Sequence, residues 1–189
     1  AVAFRLEYGR WGDDVDSGIA RIKRDSGGGK AVSWATSPNA RNGARTTFQI
    51  FDETHRMAMP KLKQAHRTML ANIPKRFLSD AWSLEITTAP APGEGSIAED
   101  TMDYARQVEA GTVEDSRLFF FHRQASDKYD VTKPDDLRQA VIEASGPAAN
   151  WSDIEGIIDQ WNDPTADKTF LERVWLNRLV RASERAFDA

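Results

Sequence analysis

Apolar residues along this chain switch between two spacings. Phe48, Ile50 and Phe51 crowd into a short run, and a second run spans Trp82 to Thr87. Between them Leu62, Ala65, Met69 and Ile73 recur at a helical period that gives one apolar stripe, and Pro60 suits a first helical position. Trp82 follows Asp52 by 30 residues, room for one crossover helix and its loops. The pattern predicts a βαβ unit with Phe48–Phe51 and Trp82–Thr87 as neighbouring parallel strands.

Upstream, Ile19–Arg24 and Lys30–Ala35 alternate like strands, with Gly27–Gly29 as the hairpin turn between them. Asp13, Asp14 and Asp16 read as a solvated loop. Downstream, Ala89–Gly95 is a loop by composition. Ser96 and Glu99 form a capping-box pattern, with Ala98, Met102, Ala105 and Val108 as the buried stripe of the helix and Gly111 as its end. Ser116–Gln124 reads as another buried strand, carrying His122 and Arg123 to the same rim as Asp52 and Thr87. There they sense a bound nucleotide or substrate, or are a plain strand end. After Asp127 the segments Leu137–Ala144, Ile154–Trp161 and Phe170–Val180 read as helices, with Trp151, Trp161 and Trp175 packing them onto the core. The alternation predicts an α/β fold: a three-layer core with a mostly parallel sheet over residues 1–126, and a helical segment over 127–189.

Composition narrows the picture. With 189 residues, 40% of them hydrophobic, the chain can bury one core. Cysteine is absent, which removes disulfides and thiolate zinc sites and agrees with a reducing compartment. His55, His66 and His122 are scattered in sequence, and no apolar run approaches membrane-spanning length. The net charge of −4 is unevenly spread: between Ser26 and Ser79 nine Lys/Arg face only Asp52 and Glu53, so this span carries +7 and the rest −11. A basic segment inside an acidic protein suggests a surface for polyanion. Arg41 and Arg45, just before the first strand, and Lys61, Lys63 and Arg67 on the helix are the candidate DNA contacts; the helix residues read equally as a solvated face.

The chemistry concentrates at Asp52 and Glu53. Ligands of parallel α/β sheets gather beyond the carboxyl ends of the strands. Adjacent carboxylates there can divide one job, Asp52 holding magnesium through water and Glu53 orienting or deprotonating a water that attacks phosphate. Thr87 and Thr88 would end the neighbouring strand and bring two hydroxyls alongside. Taken singly, each motif also describes an ordinary strand end.

Phe48–His55, FQIFDETH, resembles the Walker B segment of the additional-strand P-loop ATPases, and Ile86–Pro90, ITTAP, resembles their coupling motif. With Ala31–Arg45 and Phe170–Val180 (FLERVWLNRLV), the chain resembles the large terminase subunits of tailed double-stranded-DNA bacteriophages over residues 17–180. The resemblance implies ATP and Mg²⁺ as substrate and cofactor, with Asp52 serving magnesium, Glu53 serving water, and Thr87 and Thr88 contacting the nucleotide and coupling its hydrolysis to movement. It also implies double-stranded DNA, a homo-oligomeric ring, a portal and a small terminase subunit as partners, no membrane, and the cytoplasm of an infected host cell as location. One departure is large: no GxxxxGK[ST] loop occurs, since SGGGKA at Ser26–Ala31 lacks both the first Gly and the hydroxyl. The expectation is a piece of a longer motor, inactive by itself, with the phosphate-binding loop upstream and a nuclease downstream. Asp-Glu-Thr-His followed by Thr-Thr-Ala also resembles a DExH helicase lobe. A degenerate ATPase fold serving as scaffold or DNA-binding module is the reading from another class.

Overall fold

The computed structural model describes residues 15–17, 21–24, 26–33 and 46–181, and the chain divides into two compact units, 1–37 and 38–189.

In the first unit, β1 (Val15–Ser17), β2 (Arg21–Arg24) and β3 (Lys30–Val32) form an antiparallel sheet in the order β1-β2-β3. Arg21 pairs with Val32 and Lys23 with Lys30 across the predicted hairpin. Its turn closes at Ser26–Gly28, where Gly28 takes φ 68° and the Arg24 N–H donates to Gly29 O at 2.7 Å. Only a residue without Cβ holds that backbone cheaply. Asp16, predicted in a loop, is an exposed position of β1; Asp13 and Asp14 lie outside the described residues.

The second unit is α/β. Its parallel pair, β4 (Phe48–Asp52) and β5 (Trp82–Ile86), runs in strict register from Phe48↔Trp82 to Asp52↔Ile86. The crossover is α1 (Pro60–Leu70), with Pro60 in its first turn and Ala65, His66 and Met69 buried. Gln49 and Phe51 point to the α1 side, where the Gln49 Nε2 donates to Met69 O at 2.9 Å and Phe51 meets the His66 ring edge-on. His66 Nε2 lies 2.9 Å from Glu85 Oε1, and the Thr101 hydroxyl donates to Glu85 Oε2 at 2.9 Å. Glu85 thereby fastens α1 and β5 to α2 (Ile97–Glu109). At the start of α2 the Ser96 Oγ accepts from the Glu99 N–H, as the capping box predicts. The Glu99 carboxylate, however, turns to the N–H groups of Gly93 and Gly95 and closes the preceding loop instead.

The opposite face of the pair is open and apolar. Phe48, Ile50, Trp82, Leu84 and Ile86 are all exposed, Ile50 at 57%, and Phe48 stacks on Trp82 with ring centroids 4.3 Å apart. Parallel sheets ordinarily carry cover on both faces.

The hydrophobic centre lies in the helical part: α3 (Pro134–Ser145), α4 (Ile154–Asp159) and α5 (Lys168–Trp175). Ala125, Leu137, Ala140, Val141, Ile157 and Leu176 are buried together, with Trp161 and Trp175 packed against them. Several expectations change here. Trp151 is not a packing residue; it stands 80% exposed beyond α3. The last helix stops at Trp175 rather than Val180, because Asn177 adopts φ 54°, a left-handed conformation that ends helices. Ser116–Gln124 forms no strand among the described residues: its far end is tied to the helical part, and Phe119 and Phe121 point outward. Three successive phenylalanines cannot share one buried face of a two-residue repeat.

Leu176→Ala removes a fully buried side chain and should cost about 2–5 kcal/mol in urea unfolding, against about 0.5 kcal/mol or less for Leu78→Ala at an exposed site. Equal costs would place the core elsewhere.

Candidate active site

The register of β4 and β5 sets the site. Because the strands are parallel and aligned, their carboxyl ends coincide, and the Glu53 N–H extends the ladder by donating to Ile86 O at 2.8 Å. The chain must then leave the sheet at once. Glu53 takes φ 56°, ψ 46°, a left-handed conformation, and a short turn over Thr54–Arg56 follows. For a residue with a Cβ this costs about 1–2 kcal/mol, the kind of outlier that collects at functional sites.

The turn brings His55 against the end of β5. Its backbone N–H donates to Thr87 Oγ1 at 3.0 Å. Its ring Nδ1 lies 3.0 Å from Thr87 Oγ1, 3.3 Å from Thr88 Oγ1 and 3.3 Å from Glu53 Oε2. The Thr87 hydroxyl proton is committed to Thr88 O at 3.0 Å, so Thr87 Oγ1 meets His55 as an acceptor. A carboxylate also only accepts. Both neighbours therefore favour the neutral tautomer with its proton on Nδ1. Burial holds the His55 pKa below the usual 6.5, opposed by the Glu53 charge and assisted by Arg56 and Arg173.

Glu53 stays accessible, its side chain 48% exposed, with Arg56 Nε 4.0 Å away. Asp52 ends β4 on the open face and is exposed. The strand ends thus bring together Glu53, Thr87 and Thr88, with Asp52 adjacent in the chain. No three His, Cys, Asp or Glu side chains among the described residues converge as a metal-binding group. Magnesium commonly takes one or two carboxylates, with waters and phosphate oxygens completing the shell. Asp52 has the exposure and the chemistry for that.

Asn177, one residue past the C-cap of α5, closes the back of the site. Its Oδ1 accepts from the Ala89 N–H at 2.6 Å, and its Nδ2 donates to Arg123 O at 2.7 Å. One side chain so joins the threonine turn to the 118–125 segment. Between that segment and β5 opens a cavity of ≈ 410 Å³, lined by residues 83–85, 87–90 and 118–122 with Ala98, Thr101, Met102 and Asn177. His122 lines this cavity with Thr87 and Thr88, but on an irregular segment rather than at the end of a strand. Arg123 turns away, with its guanidinium over Phe121 and against Gly146.

The basic candidates separate. Lys61 and Arg67 are exposed on α1, whereas Lys63 is bound by Asp100 at 2.6 Å and by Gly95 O at 2.8 Å. Arg41 and Arg45 lie outside the described residues. Arg178 is buried: it pairs with Glu172 and donates to the carbonyls of Ala125, Ser126 and Tyr129. Sequence reasoning gave His55 and Asn177 no role at the site. The signal for both was a polar residue inside a motif the sequence shows, His55 in DETH and Asn177 in LNRLV.

The protonation of His55 is measurable. Its lowered pKa means the fold prefers the neutral ring, so this contribution to stability is complete above pH 6.5 and is lost as pH falls through the folded-state midpoint. NMR titration should place that midpoint below 6.5, and Glu53→Gln should lower it further by removing the opposing charge. An upward shift in Glu53→Gln would contradict the arrangement.

Searches against protein-family models, curated proteins and solved structures find no match to this chain.

Proposed function

We propose that this chain carries the magnesium- and water-positioning half of a P-loop-type ATPase that drives double-stranded DNA, as in the terminases it resembles. The observation that carries the reading is the meeting of Glu53, His55, Thr87 and Thr88 at the aligned ends of two parallel strands, with Asp52 adjacent. The open apolar face of the β4–β5 pair supports it as well, since such a face belongs to a wider layered α/β sheet.

In the intact motor Asp52 would hold a magnesium ion, which would neutralise phosphate charge. Glu53, half exposed and steadied by His55 and Arg56, orients the attacking water and takes up its proton. Thr87 and Thr88 stand where the leaving phosphate is felt. Asn177 ties the backbone of their turn to α5, so a shift at the threonines passes to the helical segment. The phosphate-binding lysine comes from outside this sequence. Lys61 and Arg67, with Arg41 and Arg45 on the preceding segment, supply sequence-independent contacts to DNA; Lys63, neutralised by Asp100, contributes less. The ring, portal, small subunit and host cytoplasm belong to this reading through the same resemblance.

A helicase lobe is the second reading, favoured by His55 of the Asp-Glu-Thr-His segment touching both threonines. A second ATPase-like lobe in the parent protein would select it, and a two-metal carboxylate cluster would select the terminase.

The test is a version extended upstream to include a phosphate-binding loop. It should hydrolyse ATP faster with DNA, and Glu53→Gln should retain nucleotide binding while losing about 10²-fold or more in turnover. Undiminished hydrolysis in Glu53→Gln would remove the assigned role.

A further inference from the structure

The cavity between β5 and the 118–122 segment has a chemistry that the strand-end site does not use. Its volume of ≈ 410 Å³ lies within the range of about 300–1,000 Å³ typical of small-molecule pockets. Its walls are not those of a phosphate site. No Lys or Arg is among the described residues that line it, and neither Arg117 nor Arg123, the basic residues of the neighbouring segment, joins them. Among the same residues Glu85 is the only acid.

Strand alternation explains how Glu85 arrives there. Along β5 the side chains of Ser83 and Glu85 point to the helix side, opposite to Leu84 and Ile86 on the open face. On α2, Ala98, Thr101 and Met102 stand three and four residues apart and present one stripe to the same space. The Thr101 hydroxyl donates to Glu85 Oε2 at 2.9 Å, and His66 Nε2 meets Oε1 at 2.9 Å. An ionised carboxylate offers about four lone-pair sites, so each oxygen retains room for a further donor. The Glu85 side chain is 21% exposed, which leaves it within reach of an entering molecule. Around it the lining is apolar and aromatic, with Ala98 and Met102 buried and Phe119, Phe120 and Phe121 supplied by the irregular segment.

We propose that this cavity binds a small organic cation with a flat apolar body, its N–H groups donating to Glu85 and its body lying among Met102 and the phenylalanines. Charge complementarity selects the cation. A carboxylate partly withdrawn from water gains a strong, charge-assisted bond from a cationic donor, and the faces of phenylalanine rings attract the same charge. An anion would face the Glu85 charge with no Lys or Arg in the wall to offset it. The inference stands apart from the motor reading. Because Thr87 and Thr88 share the wall, an occupant would also adjoin the threonine turn.

The probe is benzamidinium, titrated into the 189-residue chain and followed by NMR. The methyl signals of Thr101 and Met102 should move saturably with one midpoint, while those of Val141 in the helical core stay nearly still. Benzamide, neutral and of the same shape, should bind about tenfold or more weakly, and benzoate more weakly again. Glu85→Gln should abolish the preference for the cation. Should that variant fail to fold, because Glu85 also fastens β5 to two helices, the ranking of the three probes in the unaltered protein decides the matter. No saturable shift, shifts as large at Val141 as at Met102, benzamide or benzoate binding as well as benzamidinium, or an undiminished preference in folded Glu85→Gln would each overturn the proposal.

Discussion

Parallel pairing of β4 with β5 is the constraint from which the site follows. Two antiparallel strands would put Asp52 and Thr87 at opposite edges of the sheet. The parallel register Asp52↔Ile86 puts them at one edge, and the added bond from Glu53 N–H to Ile86 O forces the abrupt exit that aims residues 53–55 at the threonines. A slip of one residue would turn Gln49 and Phe51 away from α1 and expose them. The contacts of Gln49 with Met69 and of Glu85 with His66 and Thr101 hold that register in place. Packing and chemistry are thus fixed by the same pairing.

The second unit divides its labour. Its helical part carries the fully buried apolar side chains, Val141 and Leu176 among them, and so supplies an anchor. The strand ends carry the left-handed Glu53, the exposed carboxylates and the threonine hydroxyls, features that cost stability and permit chemistry. Asn177 spans the two. Its left-handed backbone ends α5, and the carboxamide so released reaches Ala89 and Arg123. Helix termination and site support come from one residue.

What was legible in the sequence was what periodicity and local turn chemistry decide. The two strands, α1 with its Pro60 start and α2 with its Ser96 cap all form close to where the pattern places them. The parallel pairing was legible too, because a 30-residue separation with one amphipathic helix leaves few alternatives. Tertiary contacts decided the rest. Val180 continues an apolar repeat, yet the left-handed Asn177 stops the helix before it, which periodicity does not register. Ser116–Gln124 has strand composition but forms no ladder with β5, since Asn177 and Leu176 hold its far end. Arg178 looks like any surface arginine until three carbonyls are seen to converge on it. His66 drew no expectation, because its partner Glu85 lies 19 residues away on another element.

The alignment of the two strands is open to direct trial, because the chain has no cysteine of its own. Ile50 and Leu84 are register partners, both on the open face of the pair. Cysteines placed at both positions sit within disulfide reach across neighbouring strands, whereas Ile50 paired with Ile86 is offset by two residues. Mild oxidation followed by mass spectrometry should give a near-complete intramolecular bridge for Ile50→Cys with Leu84→Cys and little for Ile50→Cys with Ile86→Cys. A bridge favoured in the offset pair, or absent from the aligned one, would mean that the register aligning the acids with the threonines is not the one described.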